Sequence, residues 1–182
     1  LEVSNGSEAF YNGQYASGAL FLNGCNTDAS NIFIHDNKSE DGMNIKNAKV
    51  DLRDSVFTGN FADQLDLDLV SGSIVNSIFR QGKSSNGDGV DLSGSRMIIR
   101  NSTFEGFLDK GVSIGEASEI VVTQSNFEKN NLAIAVKDGS KGYFRDNSFA
   151  DNDLLISLYV KKKFFRVPLA VWEGPRPMEK SI

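Results

Sequence analysis

Aspartates gather in one part of a recurring pattern. Asp41, Asp63, Asp66, Asp68, Asp88, Asp91 and Asp109 all lie in or just before short alternating segments such as Leu65-Asp66-Leu67-Asp68 and Val90-Asp91-Leu92. Two carboxyls about 5–9.5 Å apart can cleave a glycosidic bond, one as acid and the other as nucleophile or base. Asp66 and Asp91 hold the same place in consecutive repeats, so strands stacked about 4.8 Å apart would set them one above the other, with Asp88 alongside. Asp66, Asp88 and Asp91 are therefore the candidate catalytic carboxylates. So many oxygens could also hold a Ca²⁺ ion, although no segment has the spacing of a calcium loop. No other cofactor is expected.

Cations recur as regularly. Lys49/Arg53, Arg96/Arg100 and Lys141/Arg145 occupy equivalent positions in alternate repeats. Charges repeated along a rigid ladder match the repeated charges of an anionic polymer, which makes Arg53, Arg96, Arg100, Lys141 and Arg145 candidate binding residues for an acidic polysaccharide. The plainer reading is a solvated surface, where Lys and Arg are ordinary. His35, the one histidine, is expected in the outward column of Arg53, Arg100 and Arg145. With one His and one Cys (Cys25), His/Cys metal clusters and an internal disulfide are excluded. A Ser-His-Asp triad would have only His35, with no nucleophile motif nearby. Nucleic acid is not expected either: the net charge is −5, and no binding motif interleaves aromatics with cations. Lys137-Asp138-Gly139-Ser140 reads as a turn with an ion pair.

These charges need a frame, and phenylalanine supplies it. Phe57, Phe79, Phe104, Phe127 and Phe149 follow one another at 22, 25, 23 and 22 residues. Before each stand a polar pair (Asp54-Ser55, Asn76-Ser77, Asn101-Ser102, Gln124-Ser125, Asp146-Asn147) and, five residues upstream, Leu52, Ile74, Ile99, Val122 and Phe144. Further upstream lies an alternating apolar pair in each repeat, such as Leu65/Leu67 or Val112/Ile114. This period with period-2 alternation predicts an all-β coil of two short strands and a turn, stacked into a parallel β-solenoid, because helical repeats would show apolar spacings of three and four. Asp-Gly and Asn-Gly steps supply the turns.

The pattern resembles the pectin-lyase-like superfamily of single-stranded right-handed parallel β-helices, over about residues 16–160. That resemblance implies the handedness. Residues 109–152, with the stretches Gly111-Val112-Ser113-Ile114-Gly115-Glu116-Ala117-Ser118 and Ala133-Ile134-Ala135-Val136-Lys137-Asp138-Gly139-Ser140, are similar to β-helix domains of bacterial surface proteins, some linked to CotH-type kinase-like domains. This implies an exported bacterial protein, extracellular or at the cell surface. Asn86-Gly87-Asp88-Gly89-Val90-Asp91 resembles the N-T-D-G-x-D segment of polygalacturonase-type hydrolases, but their paired Asp-Asp, Gly-His-Gly and Arg-x-Lys signatures do not follow in order.

A chain of 182 residues, 40% hydrophobic, suits one domain with a sizeable core, and no apolar run is long enough to span a membrane. Residues 16–39 read as the first, incomplete rung. The expected division is a β-helix over 1–160, a C-terminal covering strand over 161–172 and a tail or linker over 173–182. A start at Leu1 suggests a mature or excised piece flanked by further domains. The sequence favours a noncatalytic module, either rigid spacer or binder of acidic polysaccharide; the alternative is a polysaccharide lyase or glycoside hydrolase acting on a uronate-containing polymer.

Overall fold

The computed structural model describes residues 1–174, and residues 175–182 of the expected tail lie outside them. No α-helix occurs among the described residues, so none is long and apolar enough to cross a membrane. Three seven-stranded parallel sheets form instead, each turn of the chain adding one strand to each. The first sheet holds Gly18–Asn23, Asp41–Lys46, Asp63–Asp68, Val90–Ser93, Lys110–Gly115, Leu132–Lys137 and Leu154–Tyr159. In the second are Thr27–Ser30, Lys49–Arg53, Ser71–Val75, Arg96–Arg100, Glu119–Thr123, Lys141–Arg145 and Leu169–Glu173. The third consists of Glu2–Ser4, Phe33–His35, Val56–Thr58, Ile78–Arg80, Thr103–Glu105, Asn126–Glu128 and Ser148–Ala150.

The predicted parallel β-solenoid is thus present, with three strands per coil where periodicity suggested two. The third strand is three residues long and sends a single side chain, the Phe, inward. One apolar position has no alternation to detect.

That Phe column is the spine of the core. Successive rings from Phe57 to Phe149 stack at 5.0, 5.1, 4.9 and 5.2 Å, tilted by no more than 13°. Ile34 takes the Phe place in the first rung, and Val3 pairs below it. Burying each ring contributes about 1.5–3 kcal/mol. The Ser row beside it closes the backbone: Ser77, Ser102 and Ser125 each accept, through Oγ, the N–H of the equivalent Ser one rung below, at 3.2–3.3 Å.

Corners between the second and third sheets are single residues with φ near +50°: Asp54, Asn76, Asn101, Gln124 and Asp146. Asn and Asp tolerate this left-handed conformation because their short polar side chains bond locally, which is why the polar pair before each Phe recurs. At Gly89 the constraint is space: a Cβ there would lie 2.9 Å from the Phe107 ring and 3.0 Å from Phe104. Only glycine lets the chain carrying Asp88 pass so close to the stack.

Two additions flank the coils. An antiparallel hairpin, Ala9–Tyr11 with Gln14–Ala16, precedes the first rung, and Tyr15 Oη donates to Glu40 at 3.5 Å. After Tyr159 the chain runs along the turn that follows the first sheet, where the Lys161 and Lys162 amides donate to Asp138 Oδ1 at 2.7 and 2.8 Å. It then enters the last strand of the second sheet, whose Trp172 meets Phe149 at 5.6 Å and Phe144 at 6.0 Å.

Candidate functional site: a carboxyl column on the first sheet

On the first sheet the inward residues are the apolar pairs Met43/Ile45, Leu65/Leu67, Val90/Leu92 and Val112/Ile114. Between them one outward column runs Asn44, Asp66, Asp91, Ser113, each residue the direct register partner of the next. The expected stacking of Asp66 on Asp91 is therefore real. Asn44 Nδ2 donates to Asp66 Oδ2 at 2.6 Å, and Asp91 Oδ1 lies 3.7 Å from Lys137 Nζ. Asp88 stands beside the column, 3.2 Å from Lys110 Nζ, which also reaches Asp109 Oδ2 at 2.5 Å. Asp63 Oδ1 accepts the Asp88 backbone N–H at 2.7 Å. Along the opposite edge Lys46 pairs with Asp68 at 2.9 Å.

Carboxyls this close and this poorly hydrated do not all ionise. Burial, with Asp41, Asp68 and Asp91 adding repulsion, pushes the Asp66 carboxyl up to about 9. Burial likewise raises Asp41 to about 6 and Asp88 to about 7, and it lifts Asp63 well above the usual range with help from Asp88. Burial works against the charge on Lys110, yet Asp88 and Asp109 more than restore it and its pKa rises. Lys110 is thus a cation among carboxyls that compete for one countercharge. Asn44 Oδ1 and Ser113 Oγ, at the two ends of the column, are buried without a hydrogen-bond partner.

Cavities open at both edges of this face. One of about 490 Å³ is lined by Lys46, Asp68, Ser93, Glu116, Leu69 and Phe165. Another of about 340 Å³ is lined by Glu8, Lys38, Glu40, Phe61, Asp63 and Asn86. Volumes of this order accept small ligands. No group of three or more His, Cys, Asp or Glu side chains among the described residues converges with metal-holding geometry.

Sequence reasoning missed Asn44, Lys110, Lys137 and Ser113 as members of this face. A signal for Asn44 exists: it stands 13 residues before Phe57, as Asp66 does before Phe79 and Asp91 before Phe104. For Lys137 there is none, because its pairing to Asp91 spans two rungs. The turn expected at Lys137-Asp138-Gly139-Ser140 is present, with Asp138 and Gly139 at φ +54° and +72°. Asp138 itself binds backbone amides.

The candidate cations align on the second sheet as expected, Lys49, Ser71, Arg96, Glu119 and Lys141 in one column and Arg53, Val75, Arg100, Thr123 and Arg145 in another. Most have carboxylate partners: Arg53 pairs with Asp28, Lys49 with Asp51 at 2.9 Å, and Arg145 with Asp146 at 3.5 Å. Arg96 and Lys141 share Glu119, at 3.5 and 2.8 Å. His35 is not in this column. It belongs to the third sheet, paired with Ser4 and Thr58, and its ring nitrogens contact Glu2 at 2.9 Å and Asp36 at 3.0 Å. Because Ile34 fills the Phe place, the residue that pairs with Arg53 is Ser30.

Residues 70–162 match the family described as right handed beta helix region. The chain belongs to the right-handed β-helix family. No curated protein matches it. Among solved structures it is similar to full-length tailspike protein 2 of the Escherichia coli O157:H7 bacteriophage CAB120, with 14% identity and a TM-score of 0.60 over 95% of this chain and 24% of that one. The enzymatically active domain of tailspike protein 2 from bacteriophage CBA120 is also 14% identical, with a TM-score of 0.44 over 80% of this chain and 26% of that one. The chain spans about a quarter of the length of these tailspike structures. The first likeness is one of fold, and what a right-handed β-helix does is decided by the side chains on its outer faces.

Proposed function

We propose that this β-helix is a polysaccharide-acting module that hydrolyses a glycosidic bond on the first-sheet face, with Asp66 as the acid and Asp91 as its partner. The observation that carries the reading is one column in which burial keeps the Asp66 carboxyl protonated near neutral pH while the neighbouring Asp91 is ion-paired to Lys137. Two carboxyls in unlike environments are what acid and nucleophile roles require. Asn44 donates to Asp66 Oδ2 and orients the acid, and Asp88 with Lys110 sets the local field. Sequence alone leaned towards a spacer or binder. The neighbours Asn44 and Lys137, which linear reading did not attach to the column, favour cleavage.

In the first half of the reaction Asp66 gives its proton to the leaving glycosidic oxygen as the Asp91 carboxylate bonds to the anomeric carbon. Water then attacks that carbon, Asp66 takes a proton from it, and Asp91 is released. The ladder spacing of about 4.8 Å is nearer to the separation that supports a covalent intermediate than to the wider one that admits water between the carboxyls, so the expected product retains its anomeric configuration. A polymeric glycan substrate fits action outside the cell or at its surface.

The test is product formation from a panel of neutral and uronate-containing polysaccharides, followed by new reducing ends and by NMR of the anomeric proton. Cleavage with retention, slowed at least 100-fold in both Asp66→Asn and Asp91→Asn, is expected. Cleavage at the parent rate in either variant, or none of any polymer, contradicts the assignment.

A further inference from the structure

The second sheet presents a face that the carboxyl column does not use. On the outward side of the second sheet, Ile98, Val121 and Tyr143 form a continuous column over three rungs. They are 49%, 38% and 39% exposed, on strands whose inward neighbours are fully buried. Together with Gly72, Arg96, Met97 and Glu119 they line a shallow cavity of about 290 Å³. Beside it, one residue past the buried Ile99, Arg100 opens onto a recess of about 390 Å³ whose other lining residues are Asn76, Asn101 and Gln124. That recess holds a guanidinium and three amides but no carboxylate. Among the described residues Arg100 has no carboxylate partner within ion-pair distance, unlike Arg53, Arg96, Lys141 and Arg145.

Charge and shape together select the occupant. Over these rungs and the adjoining last strand the cations Arg96, Arg100, Lys141 and Arg145 face the anions Glu119, Asp146 and Glu173, so the patch keeps a small positive excess on a protein whose net charge is −5. A narrow apolar strip flanked by cations fits a chain with flat apolar ring faces and carboxylates at its edge. An unpaired guanidinium among amides is a ready site for a carboxylate, which arginine grips through two parallel N–H donors. Arg145 lies two rungs from Arg100 in the same column, at about 9.6 Å on the ladder spacing. Carboxylates repeating along a short stretch of sugar chain match that interval.

We propose that this face binds an acidic polysaccharide, its rings over Ile98, Val121 and Tyr143, one uronate carboxylate in the Arg100 recess and a further one at Arg145. The surface is separate from the carboxyl column on the first sheet and needs no cleavage there.

Binding is measured by calorimetry with polygalacturonate oligomers, and with dextran oligomers as the neutral control, on the Asp91→Asn protein so that no probe is consumed. The result expected is polygalacturonate binding without dextran binding, weakened about tenfold when salt rises from low to physiological strength, because exposed charges are screened over about 8–10 Å. Arg100→Gln should weaken it at least fivefold, Arg100→Asp with Arg145→Asp at least 50-fold, and Tyr143→Ala severalfold, with the melting temperature nearly unchanged because all these side chains are exposed. Equal affinity in the double variant, equal binding of dextran, or no binding of polygalacturonate at low salt overturns the proposal. So does self-association of the parent that the double variant abolishes without any polygalacturonate binding, since the face would then serve a second copy. No hydrolysis by the parent chain, with polygalacturonate binding intact, would remove the first-sheet assignment alone.

Discussion

Asp41, Asp66 and Asp88 at the first sheet and Asp51 and Glu119 on the second share one ladder spacing and titrate in opposite directions. On the first sheet, burial lifts Asp41, Asp66 and Asp88 above their ordinary range. On the second, hydrogen bonds from Lys49 and Lys141 pull Asp51 and Glu119 below theirs. Stacking alone therefore decides nothing about a charge. What differs is solvation: the first-sheet face is sheltered by its own neighbours, so repeated carboxyls there compete for few cations, whereas on the second sheet each charge keeps water and needs only a loose partner. A sheltered column can do acid chemistry. An open one can bind and release a polymer.

The contrast breaks most visibly along one strand. Ile99 is fully buried and Arg100 beside it is exposed. Ile99→Asp should prevent folding, since an unpaired charge in the core costs more than about 4 kcal/mol, while Arg100→Asp should change stability by no more than about 0.5 kcal/mol. Equal melting temperatures for the two would mean the strand register is wrong by one residue.

Next in size is the pairing of Lys110. Its side chain is 13% exposed and that of Asp88 6%. Lys110→Met strands carboxyls without their cation, and chemical denaturation should register a loss of about 3–5 kcal/mol. The matching change on the open sheet, Lys141→Met, should leave the unfolding midpoint almost where it was. A similar loss in both would remove the distinction between the faces.

How much of this was legible beforehand follows from which contacts are local to a repeat. The Phe stack, the Ser row and the Asp66–Asp91 step each repeat once per coil, so aligning coils reveals them. The third strand, with one inward residue, leaves no periodic trace. Lys137 reaching Asp91 joins rungs that are not neighbours, and the sharing of Glu119 by Arg96 and Lys141 depends on rotamers as much as on register. Shelter was the least legible property of all, because the alternation of Leu65-Asp66-Leu67 looks the same whether the outward face is wet or enclosed.

Spread over a wide range of pH is a further effect on stability. Asp41, Asp88 and Asp66 have folded pKa values of about 6, 7 and 9 against an ordinary 3.8. Groups raised in this way contribute stability that is complete below the unfolded value and lost as pH rises through the folded one, at up to about 1.4 kcal/mol per pH unit for each proton. Melting temperature should therefore fall from pH 5 to pH 9, and Asp66→Asn should flatten the upper part of that slope. A melting temperature that rises across this window would contradict the buried-carboxyl picture.

The account rests on the state of one proton, which carbon-detected NMR of the Asp66 side-chain carboxyl can follow through a pH titration. The account predicts that this carboxyl stays protonated through neutral pH, titrating near 9, and that Asp91→Asn, by removing a neighbouring negative charge, lowers its midpoint. An Asp66 that titrates near 4 would be an ordinary solvated carboxylate, and the first-sheet column would then have no acid to offer.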